Sequence, residues 1–167
     1  MLITETGLRV GKEALPLKWE HVDLTSDVVR VHDSKTLAGL REVPLSAFCK
    51  EELLRWKLLT GPDFSPYVFF NPEKSLTHLK AVRKVWASAL KKASLAPFHL
   101  YDLRATFASR LSAAGVPDVF VSQMMGHAGG LLQTYSKAIV EYRRDAIRKL
   151  EELRQSHPNP SDEMSNL

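Results

Sequence analysis

Beyond residue 75 the apolar side chains recur at intervals of three and four, which confines the second half of the chain to helices. Leu76, Leu79, Val82, Trp86, Leu90 and Ala93 form one stripe, and Leu103, Phe107 and Leu111 a second. Tyr135, Ile139, Tyr142, Ala146, Leu150 and Leu153 form a third. A stripe must be covered, so these helices have to pack on one another or on a sheet. The punctuation agrees with the spacing. Ser75 stands where an N-cap belongs, and a further helix opens near Asp102 and ends at Gly115. Pro117 occupies the first turn of the next helix and Gly126 closes it. The last helix is expected over about 131–154.

The first half is patterned differently. Leu8, Val10, Leu15 and Leu17 suggest a short, imperfect helix between Thr6 and Trp19, with Pro16 near its end. Residues 27–32 alternate with a period of two and residues 41–45 return in kind, which predicts an antiparallel hairpin with Lys35 and Gly39 in its loop. Ser46 caps a helix running to about Leu59, and Gly61-Pro62 stops it. Tyr67 to Phe70 reads as a short strand or an extended connector. The expected fold class is therefore mainly α with a small antiparallel β-sheet (α+β). One domain fills residues 1–155, and the polar, proline-containing tail 156–167 is expected to be disordered.

Composition narrows the function. A chain of 167 residues, 44% hydrophobic, buries a sizeable core without disulfides. Its one cysteine, Cys49, supplies neither an internal disulfide nor a thiolate metal cluster. Apolar runs stop at about four residues, and the N-terminus lacks the basic and apolar regions of a signal peptide. A secreted, membrane-spanning or disulfide-scaffold protein is excluded, and a cytoplasmic one is expected. Lysine and arginine number 23 against 19 acids, a net charge of +4. Between residues 80 and 92, Lys80, Arg83, Lys84, Lys91 and Lys92 occur without an acid. That run suits a polyanionic partner, or simply a solvated helix face. Phosphate-cradling loops, dinucleotide fingerprints, zinc-protease helices and nucleophile elbows are all missing. The six histidines lack ligand spacing, so no metal and no cofactor are expected.

What stands out is a set of polar residues at element boundaries: Arg9, Lys35, Arg104, His127 and Tyr135. An arginine at a helix start opposes the helix dipole, so something other than helix stability places it there. The segments Thr6-Gly-Leu-Arg9, Tyr101-Asp-Leu-Arg-Ala-Thr-Phe-Ala-Ser-Arg-Leu111, Met125-Gly-His127 and Gln133-Thr-Tyr135 resemble, in order and separation, the tyrosine recombinases of the phage-integrase family. The resemblance runs to about Arg154. It implies that Arg9 and Arg104 are the two box arginines, His127 the histidine after the glycine, Lys35 the hairpin lysine and Tyr135 the nucleophile. Tyr101 stands where the family usually has histidine. His99 precedes Arg104 by five residues rather than three, and Tyr142 is a rival nucleophile on the same stripe as Tyr135. Where the family has an acid three residues after the first arginine, this chain has Lys12, with Glu13 next. One inserted helical residue turns a side chain by about 100°, which leaves Glu13 misdirected for supporting Arg9.

Such residues suit phosphoryl transfer. Guanidinium forks hold the charged oxygens of a five-coordinate phosphorus, a tyrosine attacks it, and an ammonium protonates the leaving oxygen. The resemblance implies a 3′-phosphotyrosine intermediate on duplex DNA, a homotetramer on two DNA sites, and a bacterial or phage origin. It also implies a catalytic domain that lacks the family's first helices and separate core-binding domain. Three other readings carry different consequences: a type IB topoisomerase-like enzyme, an inactive DNA-binding remnant, and a helical protein-interaction domain.

Overall fold

The alternation near residue 30 becomes real pairing. In the computed structural model, which describes residues 1–32, 39–61, 63–127 and 137–156 (side chains of 137–142 excepted), strands β1 (Val22–Asp23), β2 (Val28–Val31) and β3 (Arg41–Pro44) form an antiparallel sheet in that order. The β2–β3 register sets Val29 opposite Val43 and Val31 opposite Arg41. Lys35, Tyr135, residues 131–136 of the expected last helix, and the tail from 157 lie outside the described residues, as does the Tyr142 side chain.

The remaining elements are α1 (Leu2–Thr6), α2 (Ala47–Thr60), β4 (Phe70–Asn71), β5 (Lys74–His78), α3 (Arg83–Lys92), α4 (Asp102–Ala113), α5 (Asp118–Met124) and α6 (Lys137–Ser156). Ser46 caps α2 as expected, its Oγ accepting the Cys49 N–H at 3.1 Å. Two sequence expectations change. The helix expected from Thr6 to Trp19 is split: α1 ends at Gly7, and residues Val10–Ala14 form one π-helical turn. The helix expected from Ser75 starts only at Arg83, because Asn71 folds the chain back by accepting the Glu73 N–H and residues 74–78 pair with β4. Leu76, meant to head that helical stripe, is instead 77% exposed.

Burial divides the apolar side chains into two cores. Leu8, Leu17, Val29, Val43, Cys49, Leu53 and Val68 fill one, between the sheet, α1 and α2. Phe107, Leu111, Val121, Met124, Ile147 and Leu150 fill the other, between α4, α5 and α6. Burial pushes the Cys49 thiol up to about 12, so it carries no thiolate chemistry at neutral pH. The cores meet where α1 lies on α4 and where α5 and α6 touch β3. Polar groups stitch this seam. The buried Glu5 carboxylate on α1 accepts from Ser46 Oγ at 2.9 Å and from Arg110 Nη1 at 3.2 Å, joining α1 to α2 and α4.

Gly7 is the tightest point of the seam. Its φ of +64° ends α1 in the left-handed region, and an added Cβ would lie 2.5 Å from the Phe107 ring. Gly7→Ala is therefore expected to destabilise by about 2–4 kcal/mol, combining left-handed strain with overpacking. Gly11, with open space around its Cα, is the control. Its alanine variant should match or slightly exceed wild-type stability. Urea denaturation of both variants checks this, and equal losses would contradict the packing described.

Candidate active site

The site is built around the end of α5. A helix leaves its last carbonyls without intrahelical partners, and they attract cations. The α5 end folds as a Schellman turn: the Gly126 N–H donates to Gln123 O at 3.0 Å and the His127 N–H to Ser122 O at 3.0 Å. Gly126, at φ +67°, is the left-handed residue this turn requires. The carbonyls of residues 124, 125 and 126 then each accept from a different arginine. Arg41 Nε donates to Met124 O at 2.6 Å, Arg104 Nη2 to Met125 O, and Arg9 Nη2 to Gly126 O at 2.8 Å. Three guanidiniums drawn from three distant parts of the chain thus converge on the turn that carries His127.

Glu13 holds them together. Its Oε2 accepts the Arg9 backbone N–H at 2.8 Å and Arg41 Nη2 at 2.9 Å. Its Oε1 accepts Arg9 Nη1 and, at 3.1 Å, Arg41 Nη1, and Arg104 Nη1 lies 3.9 Å from Oε2. Glu13 is therefore not misdirected. The π-helical turn closes with i→i+5 bonds, Ala14 N–H to Arg9 O and Leu15 N–H to Val10 O, both at 2.9 Å. A wider turn absorbs the additional residue and returns the Glu13 carboxylate to Arg9. Burial pushes that carboxyl up, but the bonds from Arg41 and Arg9 outweigh it and hold Glu13 below the ordinary carboxylate range.

The expected site residues fall into two layers. Arg104, in the first turn of α4, is only 1% exposed. Its Nη1 donates to Gly7 O, and its Nη2 also lies 3.3 Å from His127 Nε2. A guanidinium only donates, so Nε2 accepts and the neutral imidazole carries its proton on Nδ1. Arg104, at the opening of α4 as expected, is thus a deep brace between the Thr6–Arg9 and Met125–His127 segments. Among the described residues its Nε is buried without a partner. Arg9 is the accessible one, with 32% of its side chain exposed. Beside it opens a groove of about 1020 Å³ that holds both His99 and Tyr101, the latter 60% exposed, along with Lys12, Lys80 and Arg83. The basic run at 80–92 thus does border the site.

Sequence reasoning missed Arg41. The signal was present: Arg41 shares strand parity with the buried Val43 and Leu45, and an arginine on a core-facing edge needs a buried acid. Its Nη1 also donates to Gly39 O at 3.0 Å, where the chain comes back from the loop that holds Lys35.

Burial, followed by the charges of Arg104, Arg9 and Arg41, holds the His127 imidazole below its usual 6.5. The folded chain binds that proton less readily than the unfolded chain does. Stability linked to His127 is therefore complete above pH 6.5 and lost as pH falls from there through the lowered folded value. Imidazole titration by NMR should give a His127 midpoint below 6.5, and Arg9→Ala should move it upward. A midpoint at or above 6.5 in the wild type would contradict the electrostatics described.

Comparison with known proteins gives a consistent picture. A sequence profile described as the phage integrase family matches residues 1–138. The tyrosine recombinase XerA of Pyrococcus horikoshii is 28% identical over 152 residues, 89% of this chain and 52% of that relative. The integrase of Salmonella phage P22 is 31% identical over 134 residues, 72% of this chain and 33% of the relative. The chain therefore spans between a third and about half of the curated relatives it matches. The fold is shared with the Tn1549 transposon integrase, solved with transposon right-end DNA, at a TM-score of 0.66 and 19% identity over 90% of this chain and 57% of that one. It is shared with a crystal structure of XerA recombinase at a TM-score of 0.61 and 22% identity, over 94% of this chain and 55% of that one. The profile match, covering four fifths of the sequence and all four of its motif segments, establishes that this chain belongs to the phage integrase family.

Proposed function

We propose that the chain is the catalytic domain of a site-specific DNA recombinase that cleaves and rejoins duplex DNA through a 3′-phosphotyrosine intermediate. The observation that carries this reading is the convergence of Arg9, Arg104 and His127 on one turn, with Arg9 and His127 on its open side. A scissile phosphodiester docks with a non-bridging oxygen on the Arg9 fork. His127 donates Nδ1–H to the second oxygen. Arg104, one layer deeper, fixes His127 by its Nε2 contact and adds its charge through a poorly solvated medium.

The covalent step balances without a metal or nucleotide. The Tyr135 phenolic oxygen forms the new bond to phosphorus and gives up its proton. The P–O5′ bond breaks, and the Lys35 ammonium hands a proton to the departing O5′. Tyr101 or His99, both in the groove beside Arg9, stands ready to bond the phosphate or take the tyrosine proton. Bond energy is kept in the phosphotyrosine, so the reverse attack by a 5′-hydroxyl reseals the strand. The basic face of α3 tracks the DNA backbone, and binding should weaken steeply with salt. Strand exchange between two duplexes calls for a homotetramer.

The test is covalent trapping on a nicked duplex that loses its 5′-hydroxyl fragment after cleavage. The adduct peptide should contain Tyr135; modification at Tyr142 would overturn the assignment of the nucleophile. Arg9→Ala should slow adduct formation by on the order of a hundredfold, the usual effect of losing one charge-stabilising donor. Its far-ultraviolet circular dichroism should remain that of the wild type, because Arg9 is the accessible member of the cluster.

A further inference from the structure

We infer that Arg41 is a positioning residue of this site, an arginine that makes no contact with DNA yet sets the geometry of the groups that do. The inference rests on the DNA-cleaving function proposed above. Its side chain is 2% exposed, so it lies beyond reach of a substrate. Four of its donations are accounted for: Nε to Met124 O at 2.6 Å, Nη1 to Glu13 Oε1 at 3.1 Å and to Gly39 O at 3.0 Å, and Nη2 to Glu13 Oε2 at 2.9 Å. Each recipient belongs to a different functional segment. Glu13 orients Arg9. Gly39 is where the chain returns from the loop bearing Lys35. Met124 begins the turn that ends in His127.

The same guanidinium also shapes that turn directly. A Cβ on Gly126 would lie 2.7 Å from Arg41 Nη1 and 3.0 Å from Cζ, so the glycine and the arginine are fitted face to face. The glycine between Met125 and His127 is thus required twice, by its φ of +67° and by Arg41. Stability alone does not call for this arrangement. Buried ion pairs are often replaced by apolar side chains without loss, and the neighbouring Val43 and Leu45 show that this strand face takes them. What an apolar side chain lacks is a flat array of donors aimed in three directions. Lysine, with its donors arranged around one nitrogen, keeps the charge but loses the fork.

Arg41→Lys and Arg41→Met separate these contributions. Three quantities are compared with wild type: thermal unfolding, affinity for supercoiled plasmid DNA, and the single-turnover rate of covalent adduct formation at saturating DNA. The Lys variant is expected to stay folded and to bind DNA within about threefold of wild type, while its adduct rate falls by about tenfold to a hundredfold, the scale of small misplacements. In the Met variant the His127 titration moves upward because one neighbouring cation is gone. The Lys variant leaves it near the wild-type value.

Wild-type adduct rates in the Lys variant would overturn the inference. So would a rate loss matched by an equal loss of DNA affinity, or failure of both variants to fold. If the wild-type chain itself forms no adduct on any DNA, the functional reading fails instead. The His127 titration still judges Arg41 in that case, since an unchanged midpoint in the Met variant would remove its influence on the turn.

Discussion

Everything near the site depends on a single buried carboxylate. Glu13 lies between two apolar cores and is shared by Arg9 and Arg41, with Arg104 close behind. Without it, three guanidiniums would crowd a poorly solvated seam with only carbonyl dipoles to offset their charge. Removing one partner of a buried ion pair costs about 3–5 kcal/mol, because the remaining charge is left uncompensated. Two joints of the seam run through the same cluster: α1 reaches α4 through Gly7 O and Arg104, and β3 reaches α5 through Met124 O and Arg41. The geometry of the candidate site and the tertiary structure therefore share the same bonds.

That sharing explains why the motif segments look as they do. Gly7 in the first segment faces Phe107 in the second, and Gly126 in the third faces Arg41 on the sheet. Each glycine is small because a side chain from a distant part of the chain occupies the space a Cβ would take. The glycines of Thr-Gly-Leu-Arg and Met-Gly-His are, in this sense, a record of contacts between segments that lie far apart in the chain, Gly7 with Phe107 and Gly126 with Arg41.

Much of this was legible in the sequence, and the exceptions have physical causes. Elements held by local signals were readable: Ser46 capping α2, the alternation of β2 and β3, Pro117 and Gly126 bounding α5. The basic residues of α3 were correctly placed on a helix, but its start was not. Ser75 is a good cap in isolation, yet the turn at Asn71 makes residues 74–78 a strand partner, a pairing decided by tertiary context. The π-helical turn was invisible because periodicity assumes 3.6 residues per turn, and one extra residue then reads as a misdirected glutamate. The depth of Arg104 was not legible, because a position at a helix opening says nothing about burial. The residue is buried because Gly7 and Met125 offer it carbonyls that only the folded chain brings together.

The electrostatic balance of the seam bears on the chemistry. Three guanidiniums against one carboxylate leave two positive charges, with His127 held neutral by burial and by those same arginines. On the function proposed above, the substrate is a phosphodiester with one negative charge, and its five-coordinate transition state carries two. Under that proposal the cluster would be under-compensated by the substrate and matched by the transition state, the condition under which binding energy lowers a barrier rather than merely tightening a complex. Two of the three cations are buried and fixed by carbonyls, so they do not relax when the charge develops. Fixed positive charge of this kind would meet the phosphorane that the proposed reaction develops. It also accounts for using arginine at all three positions, since a guanidinium keeps its proton in a seam where burial depresses an imidazole.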